Sequence, residues 1–178
     1  MGAAARLITE RGAASVTVED IGEAAGIAGP SVYSHFEGKQ ELLAAVLDRG
    51  NEWLWTETTR VFTHARSGQE ALDGLVCSYL VLAVEHGMAS VLIGDLGQFA
   101  EQDRERFRQA QADYLREWSA LLYSGRSQQE ETAARVRVNM AVMAINHAVR
   151  VPRLRRLPEL EETLFRIARA ALGTTAAA

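Results

Sequence analysis

Apolar residues recur along this chain at spacings of three and four, and no β-branched run alternates with period two between turn residues. That periodicity predicts helices over 3–12, 18–25, 29–35, 39–65, 69–86, 88–94, 98–124, 128–150 and 158–172. Breaks fall at Ser67-Gly68, Gly87, Gly94, Gly97 and Ser124-Gly125, and at Pro152 with Pro158. The expectation is an all-α protein in which the long helix over 39–65 joins a small N-terminal module to a larger bundle. Near the end, Val136, Met140 and Ala144 mark one apolar face, and Leu160, Leu164, Ile167 and Ala171 mark another. Such stripes pack either inside one chain or between two.

Between residues 17 and 43 the elements become short. Thr17 can accept the backbone N–H of Asp20, whose charge suits the first turn of a helix. Ile21, Ala24 and Ala25 give that helix a small apolar face, and Gly26 stands where a left-handed residue ends it. Pro30 falls in the first turn of the next helix, where its missing N–H costs nothing. Val32 and Phe36, four apart, face inward and leave Ser31, Tyr33, Ser34 and His35 on other faces. Two short helices joined by a glycine turn make a helix-turn-helix, whose second helix enters the DNA major groove. Ser31, Tyr33 and His35 supply donors and Lys39 a point charge, the groups that hold phosphate oxygens. Glu19 is expected to face solvent.

Thr17-Val18, Ile21, Ala25-Gly26-Ile27, Ser31-Val32-Tyr33, His35-Phe36, Lys39 and Glu41-Leu42-Leu43 together resemble the TetR family of one-component transcriptional regulators. The Tyr-x-His-Phe-x-x-Lys run is specific to that family, and the strong likeness covers about the first 48 residues. The resemblance implies a three-helix helix-turn-helix DNA-binding domain over 1–48 and a helical ligand-binding and dimerisation domain over 49–178. It also implies a homodimer on a palindromic operator, a repressor by family default, released by a small apolar effector. Carried over, Tyr33, His35 and Lys39 stand on the phosphate side and Gly29, Pro30, Ser31 and Ser34 near base edges, with Thr17 counted among the DNA-binding residues. Val136, Met140, Ala144, Leu160, Leu164, Ile167 and Ala171 then become the dimer interface. Ala28 departs from the family's usual Ser or Thr cap, and Gly22 replaces the usual Ala.

Charge complicates this picture. Residues 1–48 carry three basic side chains against seven acidic ones, a net of −4. Phosphate affinity comes mainly from Lys and Arg releasing counterions. The expectation is that a basic segment upstream of Met1 is missing, or that affinity is modest and strongly salt-sensitive. Elsewhere composition is ordinary, with 48% hydrophobic residues and a mean hydropathy of −0.08. The single cysteine, Cys77, precludes an internal disulfide and reads as a small buried residue. No apolar run nears the roughly 18 residues of a membrane span, and no secretory leader is visible, so a cytoplasmic location is expected.

A ligand cavity is implied by the resemblance. Its candidate lining is Trp55, Tyr79, Leu82, His86, Phe99, Phe107, Tyr114 and Trp118, with Asn139, Met143, Asn146 and His147 sharing part of one helical face. Buried amides need partners, which a ligand or a dimer mate would supply. The stretch from Asp95 through Arg104, Arg108, Tyr114 and Trp118 faintly resembles acyl-CoA-responsive members of the family, making an acyl-CoA or fatty acid one candidate effector. Arg150, Arg153, Arg155 and Arg156 read as a solvated loop. Catalytic motifs are missing: there is no Gly-x-Ser-x-Gly, no phosphate-binding Gly-rich Lys-Ser/Thr loop and no His-Glu-x-x-His. The four histidines lack metal-site spacing, and no cofactor is expected. The rival readings are a helical small-molecule binder with a degenerate DNA module, and an unrecognised helical enzyme.

Overall fold

A computed structural model describes residues 5, 7, 8, 11, 15–24, 26, 33, 35–85, 99–123, 125 and 127–173. Among them all regular structure is helical. Helix α1 spans Val18–Ala24. Thr17 caps it reciprocally: its Oγ1 accepts the Asp20 N–H at 3.1 Å, while Asp20 Oδ2 accepts the Thr17 N–H at 2.8 Å and its hydroxyl at 2.9 Å. Ile8, Val16, Val18 and Ile21 are buried beneath it.

Helix α2, Lys39–His64, buries Leu43, Leu47, Leu54 and Thr58 at helical spacing and so belongs to both the small module and the larger bundle. Helix α3, Gly68–Leu80, starts at Ser67, whose hydroxyl accepts the Glu70 N–H at 3.1 Å. The helix expected to continue regularly to residue 86 widens into a π segment over Val81–Glu85. Helix α4, Glu101–Leu122, begins three residues later than the periodicity predicts and has no side-chain cap at Ala100. Helix α5, Gln128–Arg150, matches its predicted limits because Ser127 supplies a cap to the Glu130 N–H at 3.2 Å.

The arginine-rich stretch expected to be a loop contains one helical turn, α6, Pro152–Arg155, with its proline in the first turn. Glu159, at φ 60°, then redirects the chain into α7, Leu160–Leu172, two residues later than Pro158 suggested. Gly173, at φ 77°, closes α7 in the left-handed region that glycine favours. Helix α5 packs most extensively on α7 and next on α4, while α3 bridges α2 and α7. Cys77, expected to be buried, is exposed on α3. The helix predicted over 88–94, that over 29–35 apart from Tyr33 and His35, and most of 3–12 lie outside the described residues.

Candidate functional site

In the N-terminal module the side chains expected to meet DNA do not all keep free donors. Thr17 spends both its N–H and its hydroxyl proton on Asp20, so in this conformation it has none left for a phosphate oxygen. Tyr33 and His35 are exposed, and Lys39 opens α2 half-buried. Gly29, Pro30, Ser31 and Ser34 lie outside the described residues.

Glu19, expected to face solvent without a role, accepts the Tyr33 hydroxyl proton at 2.6 Å. That is the length of a charge-assisted O–H···O bond. The Tyr33 hydroxyl holds the Glu19 carboxyl below its ordinary range, and the same bond raises the Tyr33 phenol. The Thr17 backbone N–H likewise lowers Asp20, which also faces Arg11 at 3.7 Å. The tyrosine expected to meet phosphate and one of the few basic side chains are therefore both engaged by carboxylates.

The larger domain gathers an aromatic cluster. Tyr79 stacks on Tyr114 with ring centroids 6.2 Å apart, and Trp118 meets both edge-on at 6.1 and 5.9 Å. Trp55, partly exposed, adds an edge contact to Tyr114 at 6.1 Å. From α5, Asn146 Oδ1 accepts the Tyr79 hydroxyl at 3.0 Å. Burial pushes the Tyr79 phenol up to about 12, against the opposing pull of its Asn146 bond, and raises Tyr114 by the same cause. Leu82 is buried nearby in sequence, and Phe99 and Phe107 form a separate pair at 5.4 Å. Thr58, which the sequence did not single out, is buried and faces the Tyr114 hydroxyl. A threonine inside a polar-looking helix gives no signal of such a position.

The predicted face of Asn139, Met143, Asn146 and His147 splits. Asn146 is buried; Asn139, Met143 and His147 are exposed, and the Asn139 amide donates to the Arg135 carbonyl at 2.8 Å. The inward face of α5 is centred on Val138, Ala141, Val142, Ile145 and Val149. At about 100° per residue, Asn146 sits on its edge while Met143 and His147 turn away. Asn139, Met143 and His147 are thereby corrected as lining residues of the cluster within one chain. His86 lies outside the described residues.

Instead, Met143 joins Val136 and Met140 in an outward apolar strip, each at least half exposed. Ala144, Leu160 and Ala171 are half-buried beside it and Ile167 is exposed. Leu164, assigned to the same interface, is only 3% exposed and packs in the chain's own core. The spacing of α7 could not distinguish the stripe that meets α5 from the one left outside.

Among the described residues an ion pair links the two parts. Arg106 of α4 pairs with Asp48 of α2 and, at 3.1 Å, with Asp103, while its guanidinium lies 4.5 Å over the Phe107 ring. Arg104 and Arg108, candidates for an anionic ligand group, pair along their own helix with Glu101 and Glu105. Among the described residues no three His, Cys, Asp or Glu side chains form a metal-binding group, and no helix is long and apolar enough to cross a membrane.

Residues 1–46 match the family described as "Bacterial regulatory proteins, tetR family". The HTH-type transcriptional repressor KstR2 of Mycolicibacterium smegmatis is 33% identical over 124 residues, covering 64% of this chain and 60% of that protein. The chain thus spans about 60% of the length of that curated relative. Two solved structures share the fold. The TetR family regulator PfmR from Thermus thermophilus aligns with a TM-score of 0.75 at 20% identity, over 97% of this chain and 96% of that one. AibR in complex with isovaleryl coenzyme A and operator DNA aligns with a TM-score of 0.68 at 18% identity, over 97% and 93%.

Proposed function

We propose that this chain, whose residues 1–46 match the tetR family of bacterial regulatory proteins, is a ligand-responsive, homodimeric transcriptional repressor acting in the cytoplasm. The observation that carries this reading is an exposed Tyr33 and an exposed His35 beside the capped helix α1, all inside the segment that matches the family. Two such modules, one per subunit, would read a palindromic operator in successive major grooves, about 34 Å apart on B-DNA. Phosphate contacts from Tyr33, His35 and Lys39 would set the register. The names of its relatives agree: KstR2 is called a repressor, and AibR was solved with both an acyl-CoA and an operator.

The outward strip of Val136, Met140 and Met143 is the surface through which two subunits would pair. The Arg106–Asp48 contact ties α4, which carries Tyr114 and Trp118, to the helix that enters the DNA module. An effector that shifts α4 would move the recognition helices out of register, and operator DNA would weaken effector binding by the same factor. No step in this scheme requires catalysis. The direct test selects fragments of the host chromosome at low ionic strength and follows their release as salt rises. No retained fragment from a folded dimer would sink the reading.

Glu19 provides a sharper check. Its carboxylate holds the Tyr33 proton that a phosphate oxygen would need, and adds negative charge to the same surface. Glu19→Gln should therefore tighten binding to a random-sequence duplex of about 30 base pairs by about threefold or more at low salt. Fluorescence anisotropy reads this directly. Weaker binding would mean that Glu19 places the ring rather than restraining it.

A further inference from the structure

Three polar atoms in the aromatic cluster have no hydrogen-bond partner among the described residues: Tyr114 Oη, Trp118 Nε1 and Asn146 Nδ2. Their residues are 3%, 0% and 3% exposed, so water reaches none of them freely. Buried polar groups are ordinarily bonded, and three unbonded ones in a single cluster call for an explanation. All three can donate. The indole N–H can do nothing else. Asn146 already uses Oδ1 to accept from Tyr79, which leaves its NH₂ to donate. The Tyr114 hydroxyl faces Trp118 and Thr58 outside hydrogen-bond geometry, and Thr58 gives its own proton to the Leu54 carbonyl at 2.8 Å.

No charged side chain is fully buried among the described residues. A carboxylate or phosphate brought here would lose its water without gaining a cation, and an ammonium would find no carboxylate. A neutral oxygen with lone pairs meets the donors at no such cost. Around it, the faces of Tyr79, Tyr114 and Trp118 offer apolar surface.

Resting on the regulator reading above, we propose that this cluster is the recognition end of the effector site and selects an uncharged oxygen acceptor. The ligand class is a ketone, ester or thioester carbonyl carried on an apolar ring or chain. The polar atoms specify the carbonyl, and the aromatic rings hold the body beside it.

Three matched naphthalenes test this on the full chain without DNA: 2-acetylnaphthalene, 2-isopropylnaphthalene and 2-naphthoate, followed by calorimetric titration. The ketone should bind about tenfold or more tighter than either the hydrocarbon or the carboxylate. Tyr114→Phe should cut the ketone's lead over the hydrocarbon to about threefold or less and not lower the melting midpoint. Trp118→Phe, which keeps an aromatic ring and deletes the N–H, should reduce the same lead. Equal binding of ketone and hydrocarbon, preference for the carboxylate, no binding of any probe, or a lead untouched by both variants would overturn the proposal. Chromosomal-fragment binding is scored separately. Its loss would sink the regulator reading while leaving these ligand results intact.

Discussion

Replacing Val136 and Met140 together by glutamate should make the protein monomeric and lower its affinity for operator DNA by about a hundredfold or more. Both side chains are about half exposed on α5, at 53% and 50%. They contribute little to the chain's own core, so the variant should still fold as a helical monomer, its melting midpoint falling only by what subunit association contributes. Their chemistry suits partner contact rather than water, and Met143 extends the strip to 59% exposure. Across a two-fold axis each substituted position meets the same patch on its mate, so new charges face one another and must also lose solvent. Two linked modules bind a palindrome far more tightly than either alone, because the second contact becomes intramolecular. Light scattering gives the mass and anisotropy the affinity. A variant that stays dimeric would move the interface elsewhere, whereas a monomer with undiminished affinity would refute the paired-module mechanism.

The parts of this architecture that were legible in the sequence are those written locally. Ser127 with Glu130, and Ser67 with Glu70, mark helix starts through contacts three residues long. Thr17 and Asp20 do the same for the helix-turn-helix. The family-specific run around Tyr33 and His35 needed no tertiary information. Contacts between distant residues were not legible. Glu19 and Tyr33 are 14 apart, and Arg106 and Asp48 are 58 apart. Each is an ordinary charged or polar residue until the fold brings the pair together. The helical period also predicts a face without saying which edge of it is buried, which is why Asn146 turned inward while Met143 and His147 did not. The Asn146 amide was expected to find its partner in a ligand or a dimer mate; its oxygen instead meets Tyr79 of the same chain, 67 residues away, while its Nδ2 has no partner among the described residues.

Trp118 should carry the largest single share of the bundle's stability. Its ring is fully buried and touches Tyr79 and Tyr114 edge-on. Trp118→Ala removes that apolar area and opens a cavity that the rigid faces of α3, α4 and α5 can close only in part. A cost of about 3–5 kcal/mol is expected, or a fall in melting midpoint on the order of 10 °C for a chain of this size. Thermal unfolding followed by circular dichroism reads both. The cavity would be lined mainly by aromatic side chains, so indole added to the variant should bind there and restore part of the lost midpoint. A loss below about 1 kcal/mol would show that the cluster collapses onto the gap. That result would bear on function too, since rings that close so readily could not hold the three donors of Tyr114, Trp118 and Asn146 in place for a ligand.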